Sequence, residues 1–339
     1  MSIRSIAANM MTILIVVGLF VLGGIGLAQQ QFTAPGPTTE PVALQVPAGS
    51  SVRDISQLLA EAGALPDSGV LGLLDGPAMF RMAARYSGKA TELKFGEYEL
   101  PAGASLEELV ALLAKGGNVR HRVTVPEGMS VAMAVERIKA EEKLTGEVAD
   151  LPPEGSLFPD TWDFQRGDSR QNVIARMQKR MDEVLDEAWA GRADGLPLAS
   201  KRELLILASI VEKETRPQEH GKVASVFINR LRRGMKLQTD PTVIYGITLG
   251  EAPLGRGLRR SELNARTPYN TYVIDGLPPT PIANPGRESI MAVANPEETD
   301  YLFFVADGTG GHAFATNLQD HNKNVAAWRK IERERNANQ

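Results

Sequence analysis

Pro-x-Gly-x-Ser followed by Val or Leu occurs three times in this chain: in "VPAGSSVRDISQLL" from Val46, "LPAGASLEELVALL" from Leu100 and "VPEGMSVAMAVERI" from Val125. Each copy dictates the same local path. A strand ends, Pro-x-Gly turns the chain, and Ser offers an N-cap oxygen to an amphipathic helix. The first two copies carry capping boxes, with Asp54 three residues after Ser51 and Glu108 three after Ser105. After Ser105, residues Leu106, Leu109, Val110, Leu112 and Leu113 fall mostly on one helix face. The copies are 54 and 25 residues apart, so no solenoid of fixed period follows. Two units make one small module, and the third opens the next domain. A boundary near residue 118 is expected, where Gly116 and Gly117 of "KGGN" punctuate a helix end.

Ahead of these units lies "MMTILIVVGLFVLGGIGLA", 19 residues from Met10 to Ala28 without a charge. At about 1.5 Å per residue such a helix just spans a hydrocarbon core of roughly 30 Å. Arg4 and the amino terminus precede it, and residues 29–51 hold no Lys or Arg. The positive-inside rule then keeps the N-terminus cytoplasmic and exports the rest. A cleaved signal peptide has an apolar region of about 7–15 residues, and this run is longer, so a retained anchor is expected. The next stretch, "QQQFTAPGPTTEP" at 29–41, is polar with three prolines and reads as a semi-extended spacer.

Several chemistries are excluded early. With no cysteine there is no disulfide, thiolate nucleophile or Cys-containing zinc site. A net charge of −4 and no basic cluster argue against a nucleic-acid partner. The four histidines, His121, His220, His312 and His321, show no ligand spacing, so neither a metal nor a cofactor is expected. No Gly-x-Ser-x-Gly elbow is present. "DGTGGH" at 307–312 lacks the Lys-Ser/Thr of a phosphate loop and reads as a hairpin turn inside "YLFFVADGTGGHAFAT".

The second half alternates helices and loops before that late strand pair, which makes the chain α+β. Residues 169–190 have helical periodicity through Val173, Ile174, Met177, Met181, Val184 and Leu185. In "SKRELLILASIVEKETRP" at 200–217, Ser200 and Glu203 form a capping box and Pro217 closes the helix. The apolar run Leu204–Val211 is followed directly by Glu212. That carboxylate stacks over Ser209, Ala208 and Leu205, a buried stripe. Apolar surroundings disfavour a charged carboxyl, and a neutral carboxylic acid near pH 7 can protonate a leaving-group oxygen. Ser209, one turn earlier, could orient it by a hydrogen bond. Glu214 stacks over Ile210 and Val211 in the same way, so periodicity alone does not choose between the two, and a glutamate at a helix end is commonly solvated surface.

Five stretches together strongly resemble the endolytic murein transglycosylases of the MltG, or YceG-like, family. They are "EGSLFPDTWDF" at 154–164, "ASIVEKET" at 208–215, "VFINRLRRGMKLQTDPTVIYG" at 226–246, "TPYNTYVIDGLPPTPIANPG" at 267–286 and "YLFFVADGTGGHAFATNLQDHNKNV" at 301–325. The resemblance covers essentially the whole chain. It implies a cytoplasmic tip and transmembrane anchor at 1–28, a linker at 29–41, a small LysM-like α/β subdomain at 42–118 and a mixed α+β catalytic domain at 119–339. It implies Glu212 as the catalytic residue, and a substrate cleft drawing on Ser209, Gln238, Asp240, Thr242, Tyr245, Asn270, Thr271 and Tyr272. The proline-rich "GLPPTPIANPG" is expected to form a rigid cleft wall without direct chemistry. Trp162 stands where a Tyr is expected.

The activity implied is non-hydrolytic cleavage between N-acetylmuramic acid and N-acetylglucosamine within nascent peptidoglycan strands. The products would have 1,6-anhydro ends, and cleavage would terminate strand elongation. Peptidoglycan strands and, at the membrane, peptidoglycan synthases are the implied partners. The implied location is the inner membrane, single-pass, with the catalytic part periplasmic. Two alternatives stay open. If Asp240 faces Glu212, a lysozyme-like muramidase with water as acceptor becomes possible. A non-catalytic peptidoglycan-binding scaffold would use the module at 42–118.

Overall fold

The computed structural model describes residues 3–68, 72 and 74–337. Part of the expected cytoplasmic tip, Met1 and Ser2, lies outside the described residues. The chain divides into two compact units after His121, with the short segment Gln165–Gly167 returning to the first.

In the first unit, α1 (Ile3–Thr33) precedes β1 (Val42–Val46), α2 (Val52–Glu61), α3 (Gly76–Tyr86), β2 (Gly96–Leu100) and α4 (Leu106–Lys115). The Pro-x-Gly-x-Ser reading is met at each copy. Ser51 and Ser105 cap α2 and α4 with reciprocal capping boxes. Gly49 and Gly103 stand at φ 84° and 65°, a backbone region that costs a residue with a Cβ. β1 and β2 pair antiparallel, Val42 opposite Leu100 and Val46 opposite Gly96. Leu44, Val46, Tyr98 and Leu100 point from them onto Ile55, Leu59, Phe80, Leu109 and Leu113. Glu97 bonds both His121 and Arg166, which ties the returning segment in.

α1 contains one helix long and apolar enough to cross a membrane, Met10–Thr33, with mean hydropathy 2.5. Its described leucines, such as Leu14 and Leu22, each 67% exposed, have no protein cover. The helix continues five residues past Ala28, into the stretch expected as a spacer. That stretch does not run free. Gly36 N–H donates to Gly103 O at 3.0 Å, Gly103 N–H to Thr38 O at 2.7 Å, and Phe32 packs on the core of the unit.

The second unit starts at Arg122, within β3 (His121–Val125), and continues with α5 (Val131–Lys139), β4 (Asp160–Phe164) and α6 (Arg170–Ala190), with β3 paired to β4. α7 (Lys201–Glu214) follows, then one 3₁₀ turn from Pro217, α8 (His220–Arg232), α9 (Asp240–Thr248), α10 (Arg260–Leu263) and α11 (Arg287–Ala294). The antiparallel hairpin of β5 (Phe303–Ala306) and β6 (His312–Ala315) precedes α12 (Leu318–Ala337). Its loop is held by Asp307, which accepts from Thr309 and Gly311 N–H, so "DGTGGH" is the expected hairpin turn.

The core gathers around α7. Leu204 and Ile206–Val211 are all buried, packed by α6, α8 and α11. A helix apolar on every side needs such enclosure. Each buried aliphatic side chain adds about 1.5–3 kcal/mol, so packing rather than propensity holds this helix. The fold is α+β, with three two-stranded sheets among the described residues.

Candidate active site

Helix α7 leaves its enclosure at Glu212, which is half-buried. Carboxyl oxygen Oε2 accepts two hydrogen bonds, from Gly286 N–H at 3.0 Å and Ser289 Oγ–H at 2.8 Å. Gly286 is the N-cap of α11 and Ser289 lies in its first turn. The packing of α11 on α7 thus aims two donors at one oxygen. Oε1 accepts no hydrogen bond from any described residue.

Ser209 does not orient this carboxyl. It is fully buried, donates to Ile206 O at 2.7 Å and accepts from Ile282 N–H at 3.0 Å. A serine inside a helix readily bonds back to its own preceding turn, and the oxygen then has only acceptor capacity to offer. Its work is to pin the segment before α11 against α7. That proline-rich segment is therefore more than a wall, since its Gly286 N–H touches Glu212 directly.

The sequence argument from apolar surroundings describes Glu214 better than Glu212. Burial pushes the Glu214 carboxyl above the usual range, the charge of Asp240 adds to this, and a bond from Thr239 Oγ–H opposes it. Asp240 itself is exposed at the start of α9 and accepts from Tyr272 OH at 2.7 Å. No interaction links it to Glu212 among the described residues. A different carboxylate occupies that place. Burial, then the charge of Glu212, raises Glu127 above the ordinary range, with Glu288 and Asp160 adding to the effect. The Glu127 carboxyl lies directly over Gly286, where a side-chain carbon would overlap it.

Three expected cleft residues are interior supports. Thr242, Asn270 and Thr271 are each 0% exposed. Thr242 Oγ donates to Thr239 O at 2.8 Å, and Thr271 Oγ accepts from Thr239 N–H at 3.0 Å. Asn270 Nδ2 serves the carbonyls of Glu262, Leu263 and Ala265, while its Oδ1 takes Tyr272 N–H. Buried polar atoms are normally paired in this way, and here the pairing leaves nothing for a sugar. Gln238 is exposed at φ 49°, its N–H held by Thr271 O. Tyr272 is half-buried and its hydroxyl is engaged by Asp240. Trp162 turns its indole N–H onto Phe158 O at 3.2 Å, an internal use of the atom that differs from tyrosine.

Tyr245 does face open space. It lines a cavity of about 520 Å³ together with Glu127, Gly128, Lys213, Arg256 and Ile282. Its ring lies 5.0 Å from that of Tyr269, and its hydroxyl donates to Glu154 at 3.1 Å. Glu154 is a half-buried carboxyl that also takes Val131 N–H and Gly155 N–H, and burial raises it above the usual range. Glu212 adjoins this cavity rather than lining it: a methyl group on Gly128 would stand 3.7 Å from its Cγ.

Asn284 joins the two walls. Its N–H and Nδ2 both donate to Met129 O at 2.9 Å, its carbonyl takes Gly128 N–H, and its Oδ1 takes Leu157 N–H. Asn284→Ala leaves Leu157 N–H unpaired in the interior, and such a group costs about 1–3 kcal/mol. A fall in thermal unfolding temperature, measured by circular dichroism, is the expected result; an unchanged midpoint would remove Asn284 from this role.

Glu127, Gly286, Ser289 and Glu154 were not expected from the sequence. A signal existed for the first. The turn position held by Ala48 and Ala102 in the earlier copies is held by Glu127 in the third.

Comparison with known proteins identifies the family. Residues 44–327 match the model of the YceG-like family. A Bacillus subtilis (strain 168) protein named endolytic murein transglycosylase is 30% identical over 318 residues, covering 83% of each chain. A Streptococcus pneumoniae serotype 2 protein of the same name is 31% identical over 84% of this chain and 58% of its own length. The crystal structure of a YceG-like protein from Listeria monocytogenes is similar with a TM-score of 0.50 and 30% identity, over 84% of this chain and 98% of that one. With the family model matched across both units, the chain belongs to the YceG-like family.

Proposed function

We propose that this chain is an endolytic lytic transglycosylase of peptidoglycan, with Glu212 as its catalytic acid and base. The observation that carries the assignment is the half-buried Glu212 carboxyl, with Oε2 fixed by two donors and Oε1 left open. The relatives named endolytic murein transglycosylase support the reaction class and the substrate. The Glu212 carboxyl gives its proton to the glycosidic oxygen as the bond from C1 of N-acetylmuramic acid breaks. The resulting carboxylate takes the proton from the C6 hydroxyl of the same sugar as O6 bonds to C1. Proton and bonds balance without water, and the product is a 1,6-anhydro end. One carboxyl suffices because the nucleophile is intramolecular, with an effective molarity that can reach about 10⁵–10⁸ M.

In this reading Tyr245, Gln238 and Asp240 meet the glycan, supported by the open face of Tyr245 and the exposure of Gln238 and Asp240. The apolar part of α1 serves as an inner-membrane anchor in this reading, with the chain after it on the periplasmic side among nascent strands and peptidoglycan synthases. The module at 42–118 acts as a LysM-like glycan-holding subdomain.

Mass spectrometry of glycan strands digested by wild type and by Glu212→Gln tests the assignment. The expected fragments are lighter by one water than hydrolysed ones, and the variant yields them about 10²–10⁴-fold more slowly. Reducing ends would instead make water the acceptor and the protein a muramidase. Intact strands with wild type would leave a binding scaffold.

A further inference from the structure

Two donors on Oε2 hold Glu212 in place, but N–H and O–H donors do not themselves supply a proton for the reaction. A general acid has to carry one near neutral pH. The second carboxyl at this site offers a way. Glu127 sits at the Pro-x-Gly turn between β3 and α5, where the other two copies of the repeat have alanine. The turn keeps its form, with Gly128 at φ 72° and Ser130 capping α5 through Met133 N–H. Glutamate is therefore not needed for the turn.

Gly286 is the meeting point. Its N–H binds Glu212, while the Glu127 carboxyl rests on the space where its side chain would be. No backbone constraint explains glycine here, because φ is an ordinary −76°. The vacancy is filled by a carboxyl group. Glu127 as a whole is exposed, yet its carboxyl end turns inward onto Gly286 and not toward a cation. Lys213, which lines the same cavity, donates instead to Gly128 O at 3.1 Å. The other charges that reach Glu127 are those of Glu288 and Asp160, both negative.

We propose that Glu127 and Glu212 form a carboxyl pair over Gly286, Glu127 acting as a positioning residue for the charge of the acid. The inference rests on the assignment of Glu212 above. Two like charges on one small residue, in a concave site, resist simultaneous ionisation. Their titration then belongs to the pair rather than to either member. Loss of the pair's proton ends acid catalysis, so activity falls on the alkaline side of the profile. Burial and the neighbouring carboxylates all displace Glu127 upward, which places that fall above the usual carboxylate range.

The test is the pH dependence of strand cleavage by the full chain in detergent micelles, for wild type, Glu127→Gln and Glu127→Asp. Removing the Glu127 charge is expected to move the alkaline limb about one pH unit lower. Aspartate, still charged, is expected to keep most of the wild-type position. The difference between wild type and Glu127→Gln should shrink in 1 M salt, where the screening length is about 3 Å. A Glu127→Gln limb that superimposes on wild type, or one that Glu127→Asp reproduces, overturns the pair. Should Glu127→Gln prove inert at every pH, carboxyl ¹³C titration decides. Biphasic wild-type curves that become monophasic in the variant support the pair, and independent single steps in wild type overturn it. Cleavage by Glu212→Gln at a rate near wild type would instead overturn the assignment of Glu212 itself.

Discussion

Glu212→Gln should lose strand cleavage by about 10²–10⁴-fold, the range that a positioned acid–base group contributes, without losing its fold. The side chains have the same shape, and the Gln carbonyl oxygen can take the place of Oε2 and accept from Gly286 N–H and Ser289 Oγ–H. The amide nitrogen then points where Oε1 stood, toward open space, so no buried polar atom is stranded. What the amide lacks is a proton it can give and take back. A sound comparison is Glu214→Gln on the same helix, whose carboxyl is turned to Thr239 and the α9 start. That variant should cleave strands at a rate close to wild type. Rates on purified strands, with unfolding midpoints from circular dichroism for both variants, check the pair of expectations. Equal losses at the two positions would mean that the helix end, and not Glu212, is what the reaction needs.

The contrast between these glutamates shows where sequence reasoning stops. α2, α4 and α5 were legible because each is started by its own serine, and a cap is a contact between residues three apart. The buried run of α7 was legible for a similar reason, since its apolar residues occupy consecutive positions. The surroundings of Glu212 were not. Its partners Gly286 and Ser289 lie 74 and 77 residues away, and only the docking of α11 on α7 brings them in. Ser209 was a poor choice of partner for the complementary reason. Near in sequence, it is bound within its own turn and by Ile282. Thr242, Asn270 and Thr271 carry sugar-binding chemistry in their side chains, but whether a hydroxyl or amide faces a glycan or a buried carbonyl depends on burial, which no motif encodes.

Gly286→Ala tests the geometry from the other side. The added methyl would overlap the Glu127 carboxyl, the far end of an exposed side chain that can swing away only by leaving Gly286. Glu127 belongs to a turn fixed by Gly128, whose N–H is held by Asn284 O at 2.9 Å. Gly286 caps α11, whose first turn holds Glu212. With a flexible end to yield, the cost in stability is expected to fall below the roughly 1–3 kcal/mol of overpacking in a packed core. Activity should suffer more than stability. Displacing the Gly286 N–H moves the Glu212 carboxyl, and a shift of about 1 Å in a reacting group can cost about 10²-fold in rate. The double variant Gly286→Ala, Glu127→Ala separates the two effects, because the methyl then has room. Its unfolding midpoint should return to within about 0.5 kcal/mol of the Glu127→Ala single variant, and the shortfall from additivity measures the clash. If the two substitutions instead lower stability independently, the Glu127 carboxyl does not rest on Gly286, and the carboxyl pair loses its physical basis.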